Sequence, residues 1–176
     1  GDPHLQAAEE GPTEPYKSPR MGELQDWAVR QWEAAKGRTV GVYAGALGYS
    51  YNVPQLAKKS IPEPTCWADL TKPQFKDEVQ VANPNSSGTS YTMLATFVQL
   101  WGEDKAFDFL KALHRNINQY TKSGAAPARA AATGESLVGI TFQHDAVVQA
   151  VNGAPVKIVS PCEGTEPTYV QPSMCG

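Results

Sequence analysis

Apolar residues along this chain recur at helical spacing in some stretches and crowd into β-branched runs in others. Leu24, Trp27, Ala28 and Trp32, with Gln31 between them, fall on one face of a 3.6-residue period. They predict an amphipathic helix over residues 21–36, stopped by Gly37. Ahead of it, Asp2-Pro3 is a helix-start signal for residues 3–10, and a turn-rich stretch follows to Arg20. The run RTVGVYAGAL at 38–47 predicts a strand, and 64–75 a short helix with Thr65 as cap. Strands are expected at 78–82, 117–120, 137–142 and 156–159. Helices are expected between them, at about 87–100, 104–114, from Ser123-Gly124 to 132, and 144–151. Gly134 and Gly153 mark two of their ends, and the Pro- and Thr-rich tail from Gly164 has Tyr169 and Val170 as extended positions. Strands alternating with helices imply parallel crossovers. The fold class expected is therefore a three-layer α/β sandwich, a mostly parallel sheet with helices on both faces.

Composition narrows the class. The chain has 176 residues, 41% hydrophobic and 19% charged, which excludes a collagen-like, coiled-coil or wholly disordered protein. The formal charge is -3 and no basic cluster occurs, which argues against a nucleic-acid partner. No apolar run reaches the roughly 18 residues of a membrane span. Gly1 follows no Met, charged region or apolar core of a leader, so a processed, engineered or truncated start is expected. Cys66, Cys162 and Cys175 have no CxxC spacing, and no His/Cys cluster has metal-ligand spacing; neither a metal nor a cofactor is expected. The cysteines read either as a Cys66–Cys162 disulfide with one spare thiol or as three unpaired residues.

Chemistry gathers at four strand ends. After the 78–82 strand comes NPNSSGT, with Ser86, Ser87, Gly88 and Thr89 at the start of a long helix. First-turn N–H groups lack intrahelical partners there, and the helix dipole is positive. The stretch reads either as an anion site for phosphate or carboxylate or as ordinary capping by Ser86 or Ser87. No lysine occupies the P-loop position. Ser123, Gly124 and Ala125 repeat the arrangement after the 117–120 strand, with Lys122 as added charge or as a solvated lysine. His144 and Asp145 follow the LVGITF strand; Asp145 reads as an acceptor for neighbouring sugar hydroxyls or as a first-turn acid. Glu163 follows the last strand as a further acceptor. In an open parallel sheet such junctions share the ligand-binding edge. No Gly-x-Ser-x-Gly elbow is present, and adjacent His144 and Asp145 do not build a triad, so a binding protein without catalysis is expected.

The stretches GDPHLQAAEEG, TVGVYAGALGYSYN, ANPNSSGTSYT, NQYTKSGAAPARAA, VGITFQHDAV and SPCEGT occur here in one consistent order. With them the chain resembles the periplasmic solute-binding proteins of bacterial ABC importers, in the branch of ferric-ion, phosphonate and hexose-phosphate binders. The resemblance implies a type II two-lobed fold, here mainly its second lobe. Residues 1–37 would be a helical remnant of the first lobe, 38–50 a hinge-crossing strand, 51–163 the second lobe and 164–176 a return hinge. It implies an extracytoplasmic protein that delivers a small anionic solute, a sugar phosphate foremost, to an ABC permease. Ser86–Thr89 and Ser123–Ala125 would hold the anion, with His144, Asp145 and Glu163 on the sugar hydroxyls. Ferric binders of the branch place adjacent tyrosines near the closing strands, where this chain reads FQHDAV, while Tyr49 and Tyr51 sit apart around Ser50. Two alternatives remain: a ferric-ion binder, or a truncated fragment that binds nothing and dimerises through exposed hinge strands.

Overall fold

Apolar periodicity becomes packed structure over residues 2–165 and 167–170, the residues described by the computed structural model. The described residues up to Gly45, with those from Pro167, form one compact unit, and those from Ala46 to Thr165 form another. The first unit contains α1 (Asp2–Glu10) and α2 (Asp26–Ala34). The helix expected over 21–36 is divided: Met21–Glu23 makes a single 3-10 turn, Leu24 is extended, and α2 starts after Gln25. Gly22 weakens the first segment, whereas Asp26 supplies the acidic first turn that a helix start favours. Within this unit Trp32 Nε1 donates to the Tyr16 carbonyl at 2.7 Å, and the Tyr16 N–H to the Gly37 carbonyl at 3.0 Å.

β1 (Tyr43–Asn52) begins in the first unit and ends in the second, five residues later than the strand expected at 38–47. Tertiary pairing decides this shift. Leu47–Tyr51 pair with β4 (Val138–Phe142) and Tyr49–Asn52 with β5 (Val156–Val159), so a Gly/Ser/Tyr stretch of weak strand signal is drawn into the sheet. Asn52 then caps α3 (Val53–Lys58), its Oδ1 accepting the Gln55 N–H at 3.2 Å. This helix was not anticipated, although Asn-Val-Pro carries a cap and an early proline.

The second unit is a sheet of order β3-β2-β4-β1-β5, with β2 at Val79–Ala82 and β3 at Ile117–Thr121. β2 runs parallel to β3 and β4, but β1 is antiparallel to both β4 and β5. One strand, β1, thus departs from the parallel direction that alternation implies, and the sheet is mostly parallel, as expected. β6 (Pro167–Val170), which holds Tyr169 and Val170, pairs with β1. α4 (Gly88–Trp101) and α5 (Glu103–His114) pack on one another, as do α6 (Ala126–Thr133) and α7 (Gln143–Val151).

One face of the sheet carries Leu47, Tyr49, Tyr51, Val79, Val81, Val138 and Ile140 into the main core. Trp67 packs there between Tyr49 and Phe97. The opposite face carries small or polar residues. At Gly139 a Cβ would lie 2.1 Å from the Pro127 carbonyl oxygen, so α6 approaches β4 as only glycine permits. The expected 64–75 helix is instead two 3-10 turns, Ala68–Thr71 and Pro73–Phe75, since Pro73 interrupts it. Cys66 and Cys162 form the disulfide, joining residues 96 apart; Cys175 lies outside the described residues.

Candidate functional site

The β2–α4 junction is ordered before any helix begins. Asn83 Oδ1 accepts the Asn85 N–H at 2.9 Å, and the Asn83 carbonyl accepts the N–H groups of Ser86 and Ser87 at 3.0 Å each. Ser87 is the N-cap residue of α4, extended in backbone, and its hydroxyl makes no capping bond. The first intrahelical bond joins the Tyr91 N–H to the Ser87 carbonyl at 3.0 Å. The amides of Gly88, Thr89 and Ser90 therefore precede the helical ladder, in a first turn without acidic side chains. Of the two readings open at this loop, side-chain capping by Ser87 is absent. Ser86 bonds elsewhere: its hydroxyl lies 3.3 Å from the carbonyls of Asn83 and Lys122, bracing this loop against the next junction. Ser90, which sequence reasoning passed over, is only 1% exposed, and its hydroxyl has no partner among the described residues.

The β3–α6 junction meets the first at Gly124. A Cβ on that residue would lie 2.2 Å from Thr89 Oγ1 and 3.0 Å from Ser87 Oγ. Glycine there lets two helix starts come together with the hydroxyls of Ser87 and Thr89 between them. α6 starts after Ala125, whose side chain makes no capping bond, and Ser123 supplies the carbonyl that the Ala126 N–H reaches at 3.2 Å. Lys122 is exposed, the state of a solvated lysine.

The third junction is joined through Thr141 on β4. Its hydroxyl lies 2.8 Å from the Gly124 carbonyl and 3.1 Å from Asp145 Oδ2, and one proton serves both acceptors. Asp145 is thereby oriented with Oδ1 uncommitted to Thr141, 3.9 Å from His144 Nε2. The His144 ring stacks on Phe142 at 5.4 Å and stays exposed. Gln143 Nε2 donates to the Ser160 hydroxyl at 2.9 Å, tying α7 to the segment after β5.

Glu163 has a structural task that the sequence did not reveal. Its Oε2 accepts the Trp67 N–H at 2.7 Å and its Oε1 the Ala68 N–H at 2.9 Å. It, rather than Thr65, caps the 3-10 turn, and the adjacent disulfide anchors it there. Asp69 Oδ2 accepts the N–H groups of Thr65 and Cys66 at 2.9 and 3.0 Å. The Lys72 ammonium beside it, with those two amides, holds this carboxyl below its ordinary range. Among the described residues, Cys66, Cys162 and Glu163 are the one close group of metal-ligand types. Both sulfurs are bonded to each other, so no thiolate is offered.

Tyr49 and Tyr51 point into the core and are almost completely buried. Burial, with nearby Asp69 and Glu163, pushes the Tyr49 phenol well above its ordinary value. Burial and Glu63 raise Tyr51 as well. Neither offers a phenolate to solvent.

The family pattern described as bacterial extracellular solute-binding protein matches residues 3–171. A protein of Haemophilus influenzae is 54% identical over 166 residues, 93% of this chain and 48% of its own length. Among solved structures, the periplasmic binding protein AfuA from Actinobacillus pleuropneumoniae, with exogenous fructose-6-phosphate bound, is 48% identical with a TM-score of 0.87. That alignment covers 97% of this chain and 54% of AfuA. The periplasmic binding protein P5PA is 37% identical with a TM-score of 0.89, over 98% of this chain and 55% of P5PA. The chain spans about half the length of these relatives. No helix among the described residues is long and apolar enough to cross a membrane.

Proposed function

Because the chain belongs to the bacterial extracellular solute-binding proteins, we propose that it captures a small anionic solute, a sugar phosphate foremost, for ABC-type import and without catalysis. The observation that carries this reading is Gly124 against Thr89 and Ser87, which brings two helix starts to one place. Amides of Gly88 and Thr89, with hydroxyls of Ser87 and Thr89, act as neutral donors to the phosphoryl oxygens. Ser86 holds the loop in place through its bonds to the Asn83 and Lys122 carbonyls, and Ser123–Ala125 close the other side. Such donors suit an anion that must later be released, since directional bonds select it without a buried counter-charge.

Asp145, steadied by Thr141, accepts from sugar hydroxyls through Oδ1, and His144 adds a further polar contact. Glu163 has one lone pair on each oxygen committed to a backbone amide and presents the others to the solute. Binding of fructose-6-phosphate by AfuA, at 48% identity, supports a phosphorylated sugar over a metal ion. The buried tyrosines weigh against the ferric alternative, which needs accessible phenolates. In this reading the protein acts outside the cytoplasm and hands its solute to a membrane permease.

Calorimetry with glucose 6-phosphate, inorganic phosphate, aminoethylphosphonate and ferric ion separates the classes. Saturable binding of the sugar phosphate, tighter than that of phosphate alone, is expected. Ferric binding without any response to phosphorylated compounds would overturn the proposal.

A further inference from the structure

The seam between α4 and α5 is filled unevenly. At one end the rings of Phe97, Trp101 and Phe109 close it, with centroids 5.3, 4.8 and 4.9 Å apart. At the other, Met93 and Leu94 of α4 face Phe107 and Leu110 of α5 across an open cavity of about 310 Å³, with Ile117 of β3 along one side. That volume is at the lower end of small-molecule sites, roughly 300–1,000 Å³. Phe107 is 48% exposed and Tyr120 41%, which gives the cavity an aromatic mouth.

Its polar groups are few and of one character. His114 Nδ1 lies 2.7 Å from the Tyr120 hydroxyl, with the two rings stacked at 5.8 Å. Lys111 stands one turn earlier on α5, its ammonium 3.2 Å from Asp108 and open to water. Among the described residues lining the cavity none is acidic. β3 beside it is an outer strand with a register irregularity against β2, a form that poorly templates another strand. A compact ligand suits the cavity better than an extended peptide.

We propose that this cavity binds a small amphipathic carboxylate, a medium-chain alkyl or aryl acid, as a second site separate from the paired helix starts. The apolar body lies on Leu94, Phe107 and Leu110, and the carboxylate meets Lys111 and His114 at the rim. The Lys111 ammonium, exchanging its exposed Asp108 partner for the carboxylate, selects the sign of the ligand, and the small cavity volume selects a short body.

Displacement of anilinonaphthalene sulfonate fluorescence from the full chain tests it. Octanoate is expected to displace the dye at least about tenfold more effectively than octylammonium, and glucose 6-phosphate not to displace it. Phe107→Glu lowers octanoate affinity by at least about tenfold. Lys111→Glu lowers it by about three- to tenfold, with near-ultraviolet circular dichroism confirming the fold of both. Equal displacement by octylammonium, displacement by glucose 6-phosphate, or unchanged octanoate affinity in both Phe107→Glu and Leu94→Glu would overturn the proposal. Because the sugar phosphate is scored separately, failure here leaves the proposed primary site untouched.

Discussion

The two faces of the central sheet follow different rules. Toward Trp67 and α4 the strands present Tyr49, Tyr51, Val79, Val138 and Ile140, and stability there comes from large side chains packed against rings. Toward α6 and α7 the same strands present Gly48, Ser50, Gly139 and Thr141, and the facing helix offers Ala128, Ala130 and Ala131. Small residues there let the backbone of α6 approach β4 closely, which places Gly124 and Thr141 within reach of one another. One face builds the core. The other positions the candidate site.

Substitution breaks this comparison most sharply on the large face. Phe97→Ala removes a fully buried ring that contacts Trp67, Trp101 and Phe109, and is expected to cost about 4 kcal/mol in urea unfolding. On the small face the sign of the volume change reverses. Gly139→Ala adds one methyl against the Pro127 carbonyl and is expected to cost about 2–3 kcal/mol. A neutral Gly139→Ala would mean that α6 can withdraw and that close approach does not set the site.

pH sharpens the comparison further, with a smaller effect. The folded state holds the Tyr49 proton more tightly than the unfolded chain does, so stability from this group is complete below about pH 10. Above that it falls by about 1.4 kcal/mol per pH unit, the linkage slope for one proton. Tyr49→Phe is expected to flatten that alkaline slope in unfolding midpoints measured from pH 9 to about pH 11. An unchanged slope would show that the phenol does not titrate on unfolding.

The large face was the more legible in sequence. LVGITF and EVQVA are β-branched runs whose burial needs no tertiary knowledge, and the helices at 88–101 and 103–114 follow from their periodicity. The small face was not, because Gly48 and Ser50 carry weak strand signals, and Gly139, inside a legible strand, gains its meaning only from the helix that packs on it. For the same reason β1 was placed five residues early and its antiparallel direction missed. The helix starts at Ser87 and Gly124 were readable from turn chemistry, and their common sheet edge from the alternation of strands and helices, but the direct packing of Gly124 on Thr89 and Ser87 was not. Gly124 looked like a helix opener, whereas the structure makes it the point of contact. Glu163 was legible as an acceptor but not as a cap, since its partners, the amides of Trp67 and Ala68, lie about a hundred residues earlier.

The most direct test of the central claim is calorimetric titration of glucose 6-phosphate into the wild-type chain and into the double variant Ser87→Ala with Asp145→Ala. Saturable binding by the wild type, and its loss in a double variant with unchanged circular dichroism, is the predicted result. Equal affinity in the two proteins would contradict it.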